Sequence, residues 1–253
     1  MKISIITTCF NRKETVAMAI ESMLGQTYQN KEYVIIDGAS KDGSIEVIKK
    51  YSKNIDTFIS EPDTGMYNAL NKGIKNCTGD IIGILHSDDM FYNSQVLNSV
   101  ASVFETTGAD IVYANGQYVD YQNLNKVRRI YPSHPFHKIY LYFGWIPLHT
   151  TIFVKREVFE KFGFYREDFS IASDYEISLR WFSKPELKKV FLNQWVVKMR
   201  LGGKSTDLNQ QKLKSKEDLQ IIKEYKLMGK ATLFFKIIQK IPQYIIPIVI
   251  KYK

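Results

Sequence analysis

Residues 79–89 read GDIIGILHSDD, an apolar, largely β-branched run closed by two adjacent acids, Asp88 and Asp89. Such a run reads as a strand buried on both faces, the pattern of a parallel sheet. The same pattern stands upstream in EYVIIDGASKDGS (residues 32–44), where the run ends at Asp37. In open α/β sheets ligands bind beyond the carboxyl ends of the strands, so Asp37 and the Asp88-Asp89 pair are expected on one crevice. Three acids on one rim repel each other unless they hold a cation or share protons. A metal and a phosphate-bearing ligand are therefore expected, with one further carboxylate left for acid–base work.

Working outward, the first half alternates strand and helix. KISIITT is a first strand, and residues 13–25 follow with Val16, Ala19, Ile20 and Met23 at helical spacing. EYVIID, DTFIS and DIIGIL supply three more strands, with helices expected over 44–51 and 63–76 between them. This order implies a parallel sheet with right-handed crossovers, an α/β fold with helices on both faces. The second half is less regular. DIVYANGQYVDY and KVRRIY read as an antiparallel pair, TTIFV as a strand, 158–164 and 175–182 as short helices, and KKVFLNQWVVKMR as a long strand. A Gly-rich LGGKST loop then precedes a charged amphipathic helix over 208–228.

Composition narrows the class. The 253 residues, 45% hydrophobic, suffice for one large α/β domain. The two cysteines, Cys9 and Cys77, make no disulfide framework and point to a reducing compartment. The chain runs from Met1 and Lys2 straight into a strand, without the apolar segment of a signal peptide, so a cytoplasmic location is expected. The net charge of +9 is uneven: residues 1–183 carry 19 Lys+Arg against 21 Asp+Glu, and residues 184–253 carry 16 against 5. A uniformly basic nucleic-acid binder would not look like this. A catalytic domain whose basic end meets an anionic surface would.

Each motif has an ordinary structural alternative. Asp37 suits a βα turn, Asp88-Asp89 a helix N-cap, and Asp174 with Glu176 in ASDYE an N-cap with a first-turn acid. Hard divalent cations, however, bridge one or two carboxylates to substrate phosphates. There is no GxxxxGK[ST] phosphate loop and no CxxC or HExxH pair for zinc. His149 in PLHTTIF has the alternatives of structural histidine and ligand. Trp145 and Trp181 have those of core and sugar-stacking platform.

Taken together, ISIITTCFN, IIDGASKDGS, SEPDTGMYNALNKGI, GDIIGILHSDD, PLHTTIFVKREVF and ASDYEISLRW resemble, in order and spacing, family 2 glycosyltransferases of the GT-A fold. The likeness is greatest to the bacterial branch that builds lipopolysaccharide, capsule and exopolysaccharide repeat units, and it covers about residues 1–205. It implies an inverting transfer of a sugar from a nucleotide diphosphate donor, a UDP-sugar by preference, to an acceptor hydroxyl, with Mn²⁺ or Mg²⁺ as cofactor. By the family's pattern Asp37 contacts the uracil base, and Thr7, Thr8 and Asn11 line the nucleotide pocket. Asp63, Asn71 and Lys72 lie near base and diphosphate, Asp88 near ribose or donor sugar. Asp89 holds the metal and Asp174 is the general base. Trp145, His149, Glu176, Arg200 and Lys204 are candidates for acceptor or diphosphate contacts. The histidine that many relatives carry after the last core strand is absent from MRLGGKST, where Arg200 and Lys204 stand instead. The resemblance divides the chain into a catalytic domain over 1–205, with nucleotide half 1–120 and acceptor half 121–205, and basic amphipathic helices over 206–253.

Two other readings compete. A sugar-phosphate nucleotidyltransferase needs a Gly-rich basic loop after the first strand, and TTCFNRKET has no glycine. A non-enzymatic membrane or nucleic-acid adaptor leaves Asp37, Asp88, Asp89 and Asp174 unexplained. The tail itself, GKATLFFKIIQKIPQYIIPIVIKYK, mixes apolar residues with lysines. Its longest uncharged run, residues 241–250, has 10 residues, against about 20 for a membrane span. Peripheral docking on the anionic inner face of the cell membrane, beside a lipid-linked acceptor, is therefore expected, with packing on the protein's own core as the alternative.

Overall fold

The computed structural model of the chain describes residues 1–201 and 208–250. Lys204, with most of the expected LGGKST loop, lies outside the described residues. The first half follows the pattern of its apolar residues: β1 (Ile3–Cys9), α1 (Val16–Leu24), β2 (Lys31–Asp37), α2 (Ser44–Lys49), β3 (Thr57–Ser60), α3 (Met66–Asn76) and β4 (Ile81–Ile84). β2 pairs with β1 and β3, and β1 with β4, all in parallel. Alternation feeds both faces. Ile3, Ile5, Tyr33 and Ile35 meet α1 and its neighbours on one side, while Ile6, Val34 and Ile36 meet α3 on the other. At about 1.5–3 kcal/mol for each large apolar side chain buried, these layers supply much of the folding drive.

The remaining elements are β5 (Met90–Phe91), α4 (Val96–Thr107), β6 (Ile111–Val119), β7 (Val127–Tyr131), α5 (Ile139–Tyr142), β8 (Ile152–Lys155), α6 (Arg156–Phe162), α7 (Ser173–Phe182), β9 (Lys189–Arg200), α8 (Leu208–Glu224), α9 (Lys230–Ile238) and α10 (Lys240–Ile250). The described strands form one nine-stranded sheet in the order β3-β2-β1-β4-β8-β6-β9-β5, with β7 on β6. The expected β6–β7 antiparallel pair is present. The sheet turns mixed at β8, which runs antiparallel to both β4 and β6. Three elements go beyond the sequence reading: β5 and α5 are too short to show a period, and α4 begins at Val96, later than the helix that an N-cap at Asp88-Asp89 would start.

α8 is not a loose tail. Ile221 and Ile222 are fully buried in the same cluster as α7's Tyr175, Ile177 and Trp181. α9 and α10 dock on the body through Thr232 Oγ1 to the Tyr142 carbonyl (2.8 Å), Gln239 Nε2 to the Phe143 carbonyl (2.7 Å) and Arg129 Nε to Gln243 Oε1 (2.8 Å). Their other face leaves Phe234, Ile237, Ile238, Ile241, Ile245, Ile248 and Val249 exposed. Among the described residues no helix is long and apolar enough to cross a membrane.

Gly73 lets α3 lie close on the sheet: a Cβ there would fall inside the contact distance of Ile6 Cγ2. Alanine gains about 0.5–1 kcal/mol in helix preference and loses about 1–3 kcal/mol to overpacking. Gly73→Ala is therefore expected to lower the urea midpoint, and an equal or higher midpoint contradicts the close approach.

Candidate active site

The loops after β1, β2 and β4 meet on one rim, as the strand pattern predicts. Arg12 links them: its Nε lies 3.7 Å from Asp88 Oδ2, and its backbone N–H donates to Ser44 Oγ at 2.7 Å. Asn11, at a left-handed φ of 53°, donates its N–H to Ser40 Oγ (2.8 Å) and accepts the Lys41 N–H at Oδ1 (2.9 Å). Thr7 is buried and donates to the Leu85 carbonyl at 2.7 Å, tying β1 to the segment before the acids. Thr8 is buried beside it.

Asp37 is fully buried. Its oxygens accept the Ser40 N–H (2.9 Å), Ser40 Oγ (2.5 Å) and Ser60 Oγ (2.8 Å). The free carboxylate expected at this strand end is thus engaged in holding its own turn. The next residue, Gly38, leaves space that the Asp63 carboxylate occupies, with the exposed ring of Phe10 alongside. Phe10 was not singled out from sequence, because an aromatic one residue past a strand carries no motif. Lys72 reaches the Pro62 carbonyl (3.0 Å) and Glu61 (2.7 Å), while Asn71 spends its amide on Tyr165 and Glu167. Both therefore fix loops at the rim.

The two acids after β4 separate. Asp88 is partly open beside Arg12, whereas Asp89 is buried with Oδ1 3.3 Å from the Arg200 N–H. Among the described residues, the buried Oδ2 of Asp89 has no hydrogen-bond partner. Burial, with the nearby Asp88 charge added, pushes the Asp89 carboxyl well above the usual range. An orphaned carboxylate oxygen next to a second acid is a fit for a hard divalent cation. Among the described residues there is no cluster of three His, Cys, Asp or Glu side chains able to hold a metal alone.

Asp174 sits in the first turn of α7. Oδ1 accepts the Tyr175 N–H at 2.8 Å and lies 3.4 Å from Tyr67 Oη of α3 and 3.8 Å from Lys214 Nζ of α8. Oδ2 lies 3.4 Å from His149 Nδ1. Burial opposes the Asp174 charge, but Lys214, His149, Lys236 and the Tyr175 N–H outweigh it and hold the pKa down at about 2. Burial pushes His149 down to about 4, so at neutral pH that ring is uncharged and the attraction rests on Lys214 and Lys236. Lys214 had no sequence signal: it lies 40 residues downstream on an ordinary charged helix.

The remaining candidates do not converge on this point. Glu176 is buried in a pair with Arg180 and accepts from Tyr225 Oη at 2.7 Å. Trp145 is core, one face covered by His134 at 4.1 Å between centroids, and Trp181 is core too. Arg200 holds the Tyr121 carbonyl and lies 3.1 Å from Met18 Sδ. Two residues without a prior reading matter instead. His86 joins His149, Nε2 to Nε2, at 2.9 Å. Glu217 of α8 accepts the N–H groups of Ser170 (2.9 Å), Ile171 (3.0 Å) and Ala172 (2.9 Å), which lead into α7.

Comparison with known proteins fits this arrangement. The sequence profile of glycosyl transferase family 2 matches residues 4–163. A relative from Rickettsia typhi, described as an uncharacterized glycosyltransferase, is 28% identical over 202 residues; the match covers 77% of this chain and 62% of the relative. Among solved structures, Staphylococcus aureus TarS 1–349 in complex with UDP-GlcNAc superposes with a TM-score of 0.69 at 14% identity, over 92% of this chain and 69% of that one. The mannosyltransferase PcManGT of Pyrobaculum calidifontis, in complex with GDP-Man and Mn²⁺, gives 0.65 at 16% identity, over 92% and 69%. At such identities the likeness is one of fold, the GT-A glycosyltransferase fold. With the family match, the chain belongs to glycosyl transferase family 2 and is a glycosyltransferase.

Lys214→Met removes the cation nearest Asp174, so burial is less opposed and the carboxyl pKa rises. A base must be ionised to work, so activity is then lost at a higher pH on acidification. The acid limb of the turnover profile is expected to move up by about one unit. An unmoved limb contradicts the pairing.

Proposed function

We propose that the chain transfers a sugar, with inversion, from a nucleotide-diphosphate donor to a hydroxyl of a lipid-linked glycan during cell-surface polysaccharide synthesis. The observation that carries this reading is the spacing of its acids. Asp88 and Asp89 stand on the rim of the parallel strands, and Asp174 stands apart on α7, ionised and held from three sides. Inversion needs a leaving diphosphate on one side of the anomeric carbon and a base on the other. The comparison structures bind UDP-GlcNAc and GDP-Man, which supports a nucleotide sugar here, a UDP-sugar by preference.

In this reading the base ring lies over Phe10 and Gly38 beside Asp63, with Thr7, Thr8, Asn11 and Asp37 shaping the floor. Asn71 and Lys72 act through the loops they hold. Asp89 and Asp88 would hold Mn²⁺ or Mg²⁺. When bound, that ion supplies charge stabilisation for the departing diphosphate. Asp174 takes the acceptor's proton as the hydroxyl oxygen forms its bond to the anomeric carbon.

α9 and α10 support a lipid-borne acceptor. The apolar stripe from Phe234 to Val249 is exposed, lysines flank it, and Lys236 of α9 acts on Asp174 electrostatically. An interfacial helix pair of this kind brings a membrane-anchored hydroxyl to the base, so the protein works peripherally at the inner face of the cell membrane. Residues 1–205 form the catalytic part, and α8 fastens the docking helices to it.

A thermal-shift screen of UDP-, GDP- and dTDP-sugars with Mn²⁺ selects the donor. With that donor, Asp174→Asn is expected to keep affinity and lose about 10²–10⁴-fold in turnover, while Asp89→Ala loses metal-dependent affinity. Near-wild-type turnover in the first variant, or unchanged affinity in the second, contradicts the assignment. For the membrane, the full chain is expected to float with anionic liposomes at low salt and a chain cut after Met228 is not. Equal flotation overturns the docking role.

A further inference from the structure

The two histidines beside Asp174 belong to different elements. His86 follows β4 and directly precedes Ser87 and the acid pair; His149 precedes β8. Their rings lie 5.1 Å apart between centroids at a 54° tilt, with Nε2 atoms 2.9 Å apart. Charged groups face them from several sides: Asp88 and Arg12 act on His86, and Asp174 and Lys214 act on His149.

A neutral imidazole has one N–H and one bare nitrogen. Two neutral rings joined Nε2 to Nε2 must share one proton between them, so one ring donates and the other accepts. Were His149 the donor, its bare Nδ1 would face the ionised Asp174 Oδ2 at 3.4 Å, lone pair against negative charge in a buried site. The opposite assignment suits the three ring nitrogens that face one another or Asp174. His86 then donates through Nε2–H, His149 accepts at Nε2, and His149 carries its proton on Nδ1, the nitrogen 3.4 Å from Asp174 Oδ2.

On the reading that Asp174 is the base, we propose that His149 is a positioning residue that fixes the Asp174 carboxylate by its Nδ1–H, and that His86 sets the tautomer in which it does so. Oδ1 accepts the Tyr175 N–H at 2.8 Å and Oδ2 faces His149 Nδ1 at 3.4 Å, so each oxygen has its own neighbour. The 3.4 Å separation is long for a hydrogen bond; on this proposal it closes when the acceptor engages. His86 thereby connects the strand end that carries the acid pair to the base on α7.

The test needs no substrate at its first stage. In ¹⁵N-labelled full-length protein at pH 7.5, ring spectra are expected to show Nδ1–H at His149 and Nε2–H at His86; the reverse pair overturns the proposal. His86→Gln keeps an N–H at the Nε2 position and should keep the His149 tautomer. His86→Leu should lose it, giving a mixture or Nε2–H. At the second stage, with the donor selected by thermal shift, His86→Leu is expected to lower turnover about tenfold or more with donor affinity unchanged, and His86→Gln to restore most of it. His149→Asn carries its own N–H toward Asp174 and no longer needs instruction, so adding His86→Leu to it should cost nothing further, a non-additive pair. Additive losses, or equal damage from Gln and Leu at position 86, overturn the proposal. The Asp174→Asn result stands apart: wild-type turnover there removes the base reading, while the tautomer result reports on the histidine pair by itself.

Discussion

Three consecutive backbone N–H groups, of Ser170, Ile171 and Ala172, converge on the carboxylate of Glu217. These amides lie just before α7, where the helix start leaves donors unsatisfied. A hydrogen bond to a charged group is worth about 1.5–3 kcal/mol, so this one side chain sets where α7 begins and where Asp174 stands. It also binds α8 into the body. Through α8 come Lys214, at 3.8 Å from the base, and Glu224, paired with Arg166 at 2.6 Å. The C-terminal helices are thus part of the site's construction.

The site divides its carboxylates by environment. Asp89 is buried with one oxygen unpartnered among the described residues, and burial drives it toward the protonated form. Asp174 is surrounded by Lys214, Lys236 and a backbone N–H and stays ionised. Groups of the same chemistry thereby differ in charge, which suits the metal and base roles proposed for them. Lys214 holds the Asp174 pKa low in the unliganded protein; in the proposed role, an acceptor that displaced this cation would make Asp174 a stronger base.

How much of this was legible in the sequence depends on distance along the chain. β1 to β4 were readable because apolar alternation is a local signal, and the acids at their ends followed from the ligand-binding rule for parallel strands. The β6–β7 pair and the long β9 were readable for the same reason. The β8 insertion was not, since strand direction depends on a partner 40 or more residues away. Phe10, His86, Lys214 and Glu217 were missed because each matters only through a neighbour distant in sequence. Trp145 shows the converse: its type suggested a sugar platform, and its packing against His134 makes it core.

The central claim is that α8 builds the catalytic end of α7, and amide hydrogen exchange on Glu217→Gln tests it most directly. The account predicts that the Ser170, Ile171 and Ala172 amides lose protection while those of β1 and β4 keep theirs. Donor affinity then stays at the wild-type level and turnover falls by about tenfold or more, the equivalent of about 1.4 kcal/mol. Lost protection at those three amides with turnover unchanged would contradict it.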